Sequence, residues 1–528
     1  MKTTHKILLC LLCLLPLPSL SGQVSIKAEN TPYQLGIIQK IVSKLYETNH
    51  NFSHKKPTIE FKNTTLQVAS FIPDKNVIVV EAQAYQICQS MGKDSLNALA
   101  FLLGHELTHF YQHAHTKVGF ISNFLSYDKT PKSDTRLEKE ADVQGAFNAY
   151  LAGYNIGDNI GLVLDKIYTG YQLKGKILTG YPAFEERQKV AIQVQEKVND
   201  LIKVYESANY LAALGQYDFA RMCYEHILEV YQNREVYNNL GILSALSANE
   251  IVGKDGDNLV FPYTMDWTTR LSRKHARGTE VPTDYSTMQQ RIAFLKQAQT
   301  HFEKATRMDK DYLVAPLNKL CILAQLGKTD EALQAYNKLK KRLKDPVQQA
   351  YAKLVYALIL SKKLEKQEES STLLTELSQN TDKNVASMAI YNKAVLENQV
   401  VEMPNPICDF TVENTKIDSV QLHKLSSKGY CINVNSTARL IFQKQANSTV
   451  VQAKIQGKYY FAFQRIKGFL PKNAQDTDGT SRDTREGGVN DKVVTTTNGF
   501  ISLCEEQQIA FRYDNAHKMV EWVRFYGN

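Results

Sequence analysis

The stretch GHELTHFYQHAH (residues 104–115) holds four of the twelve histidines in a chain of 528 residues. Two of them, His105 and His109, bracket Glu106 in the order H-E-x-x-H. Upstream, Leu96, Leu99, Ala100 and Leu103 recur with Leu107 and Phe110 at helical spacing, so a helix over 94–114 with one buried face is expected. Asp94 or Ser95 can cap its free N–H groups. Residues four apart on a helix face the same way, and two neutral imidazoles so placed suit zinc. Glu106 lies too far round the helix to share the metal. It is positioned instead to take a proton from a zinc-activated water and pass it to a leaving amine.

The third ligand must come from elsewhere. His115 stands ten residues after His105, the spacing of H-E-x-x-H-x-x-G-x-x-H. That pattern turns sharply at its glycine, and here the position is Gln112. If the helix runs straight on, His115 ends about 15 Å along the axis from His105, out of reach. His113 is on the right face but two turns away. Both read as helix-end residues, where positive charge is welcome. A better candidate lies in EKEAD (138–142), on a second helix expected over 135–153 and ended by Gly153. Glu138 and Asp142 share a face there. Glu138 can close the site as a carboxylate ligand, and Asp142 can accept a hydrogen bond from a ligand histidine and set its tautomer. Glu140 points away, into solvent.

GHELTH followed by EKEAD resembles metallopeptidase family 48, the group of HtpX and the CAAX prenyl proteases. The resemblance covers roughly residues 70–195. It implies zinc held by His105, His109 and Glu138, with Glu106 as general base and Asp142 supporting the ligands. YPAFEERQ (181–188) is similar to a later H-P-x-x-x-x-R element of that family: Pro182 and Arg187 match, and Tyr181 replaces the histidine. A tyrosine there could donate to an oxyanion or regulate the site.

The rest of the chain sets the context. Lys2 and Lys6, the apolar run ILLCLLCLL (7–15) and small residues at Ser19 and Ser21 read as a secretory signal over 1–22. No other apolar run has spanning length, so the mature chain is expected to be exported without a transmembrane segment: periplasmic in a Gram-negative cell, otherwise secreted. The formal charge of +9 includes Lys2 and Lys6. The densest basic run, NKLKKRLK (337–344), reads as a solvated helix face, and nothing points to nucleic acid. Six cysteines after the signal are scattered with no C-x-x-C pair, and Cys408 with Cys431 is the nearest candidate disulfide.

The expected fold class is multidomain and mainly α. An α+β zinc peptidase domain spans 23–195. Residues 196–400 form a helical array of the tetratricopeptide (TPR) kind, because Ala298 to Ala332 and Phe302 to Tyr336 both step by 34 residues. A loop over 253–285 interrupts the array. A small β-rich domain over 401–528 has candidate strands at 458–466, 499–506 and 521–527, with a polar loop at 471–492. An export signal and TPR repeats beside the peptidase motifs make the layout similar to periplasmic BepA-type proteases, which implies quality control of envelope proteins.

The functional expectation is an exported zinc metalloendopeptidase with one zinc per chain. Its protein or peptide substrate, or a protein partner, would be held by the repeats. The alternative is a non-catalytic TPR scaffold whose peptidase-like domain is stabilised by zinc. A third reading is a latent enzyme blocked by His113 or His115.

Overall fold

The computed structural model describes residues 31–117, 135–175, 184–251, 259–263, 285–399, 429–467 and 492–525, apart from isolated positions and turns within these spans. Among them the chain is mainly helical, with a small sheet-forming region at its C-terminal end. The segments 1–22 and 471–491, and residues Tyr181 and Cys408, lie outside the described residues. Cys431 is exposed and unbridged.

The first part is α+β. Helix α1 (Thr31–Asn49) precedes strands β1 (Thr58–Lys62), β2 (Ala69–Ile72) and β3 (Val77–Glu81), which form a sheet in the order β1-β3-β2. The central strand, VIVVE, is buried along its whole length, as a β-branched run between two partners should be. Helices α2 (Ala82–Gln89), α3 (Ser95–Lys117), α4 (Thr135–Leu151) and α5 (Ile160–Gly170) follow. α3 is the helix expected from GHELTH, and its Leu99, Leu103, Leu107 and Phe110 are buried. Asp94 does not cap it through a backbone bond; its carboxylate accepts from the side-chain amides of Asn97 and Asn159. α4 ends as expected: Gly153 takes φ +84, and Tyr154 N–H closes back on Ala149 O at 2.8 Å.

Among the described residues nine helices then run in series: α6 (Phe184–Ala213), α7 (Tyr217–Leu228), α8 (Arg234–Glu250), α9 (Tyr285–Met308), α10 (Val314–Gln325), α11 (Thr329–Leu339), α12 (Pro346–Leu360), α13 (Gln367–Leu377) and α14 (Lys383–Leu396). Each packs on the next. In addition α8 touches α10, α10 touches α12, and α12 touches α14, so the first helices of successive pairs form a row. This is the nearest-neighbour packing of an α-solenoid. The 34-residue step falls on equivalent second helices: Ala298 and Phe302 of α9 and Ala332 of α11 are fully buried. The turns repeat as well. Gly215 (φ +76) after α6 and Gly327 (φ +70) after α10 adopt the same left-handed stop, with Gln216 N–H to Leu211 O and Lys328 N–H to Leu323 O. Asn233, Asp345 and Asp382 cap α8, α12 and α14 through their side-chain oxygens. In the basic run 337–344 only Leu339 and Leu343 are buried, which agrees with a solvated face.

Two features differ from the expected layout. The boundary drawn at 195/196 falls inside α6, a single helix that packs against α4, α5 and α7, and its contacts with α4 run past that point to Tyr205 and Glu206. A helix carries no composition change where its neighbours change, so the sequence could not mark the transition. Within the expected loop 253–285 the described residues 259–263 form no helix or strand, yet Leu259, Phe261, Pro262 and Tyr263 are buried.

Strands β4 (Tyr430–Asn433), β5 (Ala438–Lys444), β6 (Ser448–Ile455), β7 (Lys458–Lys467), β8 (Lys492–Thr496), β9 (Gly499–Cys504), β10 (Ile509–Tyr513) and β11 (Met519–Phe525) form one antiparallel sheet in the order β4-β5-β6-β7-β11-β10-β9-β8. It docks on α6. Tyr210 OH donates to Glu521 Oε1 at 2.6 Å, and Tyr430 OH lies 2.8 Å from Asp200.

Candidate metal centre

The site is set by a crossing of two helices at glycine. A Cβ on Gly104 would stand 2.6 Å from Gly145 O, and one on Gly145 would stand 2.5 Å from His105 N. The backbones of α3 and α4 therefore touch next to His105. Alanine at either position would force them apart. Gly104 lets α4 approach.

With the backbones this close, EKEAD faces GHELTH. The His105 and His109 Nε2 atoms are 3.0 Å apart. Glu138 reaches both, with Oε2 3.5 Å from His105 Nε2 and Oε1 3.3 Å from His109 Nε2. These three are the group among the described residues that could hold a metal ion. Their side chains are only 12%, 24% and 17% exposed, whereas Glu140 is 45% exposed and turns to Arg136. EKEAD is thus a charged helix surface at one residue and a buried site at two.

The outer nitrogens are occupied. His105 Nδ1 lies 2.8 Å from Asp142 Oδ1, and His109 Nδ1 lies 2.9 Å from Gln112 Oε1. A carboxylate can only accept, so Nδ1 of His105 carries its proton, and the amide oxygen makes the same demand of His109. Both Nε2 atoms are then lone-pair acceptors aimed at each other and at a carboxylate. Three acceptors converge at such distances only with a cation or a shared proton between them. Charge points the same way. The carboxylates of Glu106, Glu138 and Asp142 are balanced by one guanidinium, that of Arg187, whose Nη2 is 2.8 Å from Asp142 Oδ2. With both histidines neutral, two negative charges are left over among the described residues, which a divalent ion would offset. Two imidazoles and a carboxylate are a donor set suited to a catalytic zinc.

In a metal-free cluster, a proton takes the cation's place. Burial pulls the His105 pKa down, but the hydrogen bonds to Asp142 and Glu138 outweigh it and hold it up at about 10. Burial raises the Glu138 pKa, and the two histidines more than reverse that, holding it far below the carboxylate range.

Glu106 is outside the ligand group, as expected for a base. It is 6% exposed, and its Oε2 accepts from Phe71 N–H of β2 at 2.8 Å. Burial raises its pKa, and the charges of His105 and His109 restrain the rise.

His113 is not in the cluster; its ring lies 6.4 Å from that of Phe71. α3 continues through Gln112 to Lys117 without the turn a third histidine would need. The side chain of His115 lies outside the described residues.

Three partners were not assigned from sequence. Gln112 registered only as the wrong residue for a glycine turn, yet it holds His109; its place one turn beyond His109 was the available signal. Arg187 was noted as a match without a role, and it is the counter-charge of Asp142. Phe71 contributes a backbone N–H, which no side-chain pattern encodes.

No protein-family model and no curated protein matches the chain. A solved structure of a monomeric IFIT1 mutant with Gppp-AAAA matches over 60% of this chain and 64% of that one, under two thirds of its length, at 13% identity and a TM-score of 0.24. A likeness that slight assigns no fold. No helix among the described residues is long and apolar enough to cross a membrane.

Proposed function

We propose that this chain is a zinc-dependent endopeptidase of the family 48 type, exported by the signal at 1–22 and acting on protein or peptide chains. The observation that carries this reading is the convergence of His105 Nε2, His109 Nε2 and a Glu138 carboxylate, each oriented as an acceptor. Zinc, when bound, would lower the pKa of a water toward about 7 and polarise the scissile carbonyl.

The protein's own groups do the rest. Glu106 takes the proton of the attacking water and returns it to the leaving amine. Burial, which raises its proton affinity, suits it to both steps. Phe71 N–H fixes one of its oxygens. Asp142 and Gln112 hold the histidine protons on Nδ1, so that Nε2 faces the metal. β2 is the edge strand beside Glu106, where an extended substrate can add as a further strand. Tyr181 is assigned as an oxyanion donor, on its place in YPAFEERQ. The TPR-like helices supply a surface for a protein partner, in a role such as envelope quality control.

The test is zinc content of the purified protein after mild chelation, beside Glu138→Ala and Glu106→Gln. One zinc in wild type, loss in Glu138→Ala, and retained zinc with cleavage of an unfolded protein reduced about 10³-fold in Glu106→Gln would support the proposal. Folded protein that takes up no zinc would overturn it. Zinc retained in both variants, with the phenotype intact in Glu106→Gln, would favour the non-catalytic scaffold.

A further inference from the structure

Strand β2 is four residues long and, among the described strands, pairs with β3 alone. So short an edge holds its register weakly, and a slip of one residue would turn its outward-facing groups toward β3. The place of Glu106 depends on that register. In an antiparallel pair the backbone groups of successive residues point alternately toward the partner strand and away from it. Val68 O accepts from Glu81 N–H at 3.0 Å, so Val68 faces β3. By alternation Ser70 and Ile72 also face β3, and Ala69 and Phe71 face outward. It is on this outward side that Phe71 N–H meets Glu106 Oε2 at 2.8 Å.

The register is fixed just ahead of the strand. Opposite residues of an antiparallel pair can exchange two bonds, but the main chain leaves the sheet for α2 directly after Glu81. The Glu81 side chain supplies the second bond instead. Its Oε2 accepts from Val68 N–H at 3.1 Å, and its Oε1 accepts from Thr64 Oγ1 at 2.5 Å. One buried residue thus holds both backbone groups of Val68. Val68 has φ +62, a left-handed conformation that is exceptional for a β-branched residue. Such a conformation persists only where its surroundings impose it.

We infer that Glu81 is a positioning residue for Glu106. Its grip on Val68 sets the phase of β2, so that the Phe71 N–H, and not that of Ser70 or Ile72, is presented to the Glu106 carboxylate. The consequence for hydrolysis rests on the reading of Glu106 as the base. The linkage from Glu81 through Val68 to Phe71 does not.

The experiment uses the full chain loaded with zinc. Backbone amide exchange is read at Val68 and Phe71, beside zinc content and the kcat and KM of casein cleavage, in wild type, Glu81→Leu, Glu81→Gln and Glu81→Leu/Val68→Gly. In Glu81→Leu the Phe71 amide should exchange at least tenfold faster. Its kcat should fall at least tenfold, with KM within twofold and zinc retained. Glu81→Gln keeps an acceptor for Val68 and can donate to Thr64, so it should hold most of both the protection and kcat. Glycine takes a left-handed φ without the clamp, so Val68→Gly should restore Phe71 protection in the Glu81→Leu background. Unchanged Phe71 exchange in Glu81→Leu, loss of zinc together with kcat, or no restoration by Val68→Gly would overturn the inference. A wild type that cleaves nothing would sink the peptidase reading alone, since exchange still judges the linkage. Should Glu81→Leu not fold, wild type decides. Release of Val68 must then release Phe71, so the Phe71 amide should be no better protected than that of Val68. Phe71 protection tenfold beyond that of Val68 would refute the linkage.

Discussion

Helices α4 and α6 join two clusters of buried charge that differ in balance. In one, Glu138 and Asp142 of α4 meet Glu106, two histidines and Arg187 of α6. In the other, Glu206 of α6 and Glu521 of β11 meet Arg465 of β7 and Arg512 of β10. Tyr150 of α4 donates to Glu206, and Tyr210 of α6 donates to Glu521. The second cluster has two carboxylates, two guanidiniums and hydroxyls for the remaining lone pairs. It is closed and fastens the C-terminal sheet to the helices. With both histidines neutral, the first has two negative charges too many and three acceptors without a donor among the described residues. Burial is similar in both, so burial does not separate a joint from a site. Charge balance and proton count do.

The comparison can be broken most sharply at Glu521. Glu521→Leu leaves two buried guanidiniums without their main partner and should cost about 3–5 kcal/mol of stability in denaturant unfolding. Zinc affinity of the folded protein should stay unchanged. A large loss of zinc affinity would mean that the two clusters are one unit. The same carboxylate gives a pH signature. Burial raises the Glu521 pKa, but Arg465 and Arg512 outweigh it and hold it at about 2, against an ordinary 4.5. Its folded pKa is depressed, so its contribution is complete above about pH 4.5 and is lost as pH falls toward about 2. Melting temperature should fall through that window in wild type and less steeply in Glu521→Leu.

Effects at the open cluster should fall on the metal. Asp142→Asn keeps an acceptor for His105 and removes the charge that Arg187 answers. Zinc affinity should drop about 10- to 100-fold in a chelator competition, with a smaller stability change than at Glu521. Gln112→Ala should give the smallest effect, near tenfold, because His109 is the more exposed ligand and water can replace the amide. If Gln112→Ala costs more than Asp142→Asn, the order of support between the two histidines is reversed.

Much of this was legible in the chain. H-E-x-x-H fixes two imidazoles and a carboxylate by helical geometry alone. E-x-x-x-D puts Glu138 and Asp142 on one face for the same reason. The 34-residue step of Ala298 and Ala332 is a packing constraint between successive helices, so it is written as a period. The strands at 458–467, 499–504 and 519–525 show in β-branched and aromatic runs. By contrast, the short strand β2 carries its contribution in a backbone N–H, and α6 hides the expected boundary because a helix continues regardless of what packs on it.

Which side chains share a helix face follows from periods of a few residues and can be read along the chain. Which faces meet is set by packing. The Gly104–Gly145 crossing brings Glu138 to the histidines, Arg187 reaches Asp142 from α6, and Asn392 holds Val260 across 132 residues of chain. These contacts depend on how closely two backbones approach and where a buried amide finds its partner, and neither is a property of local spacing.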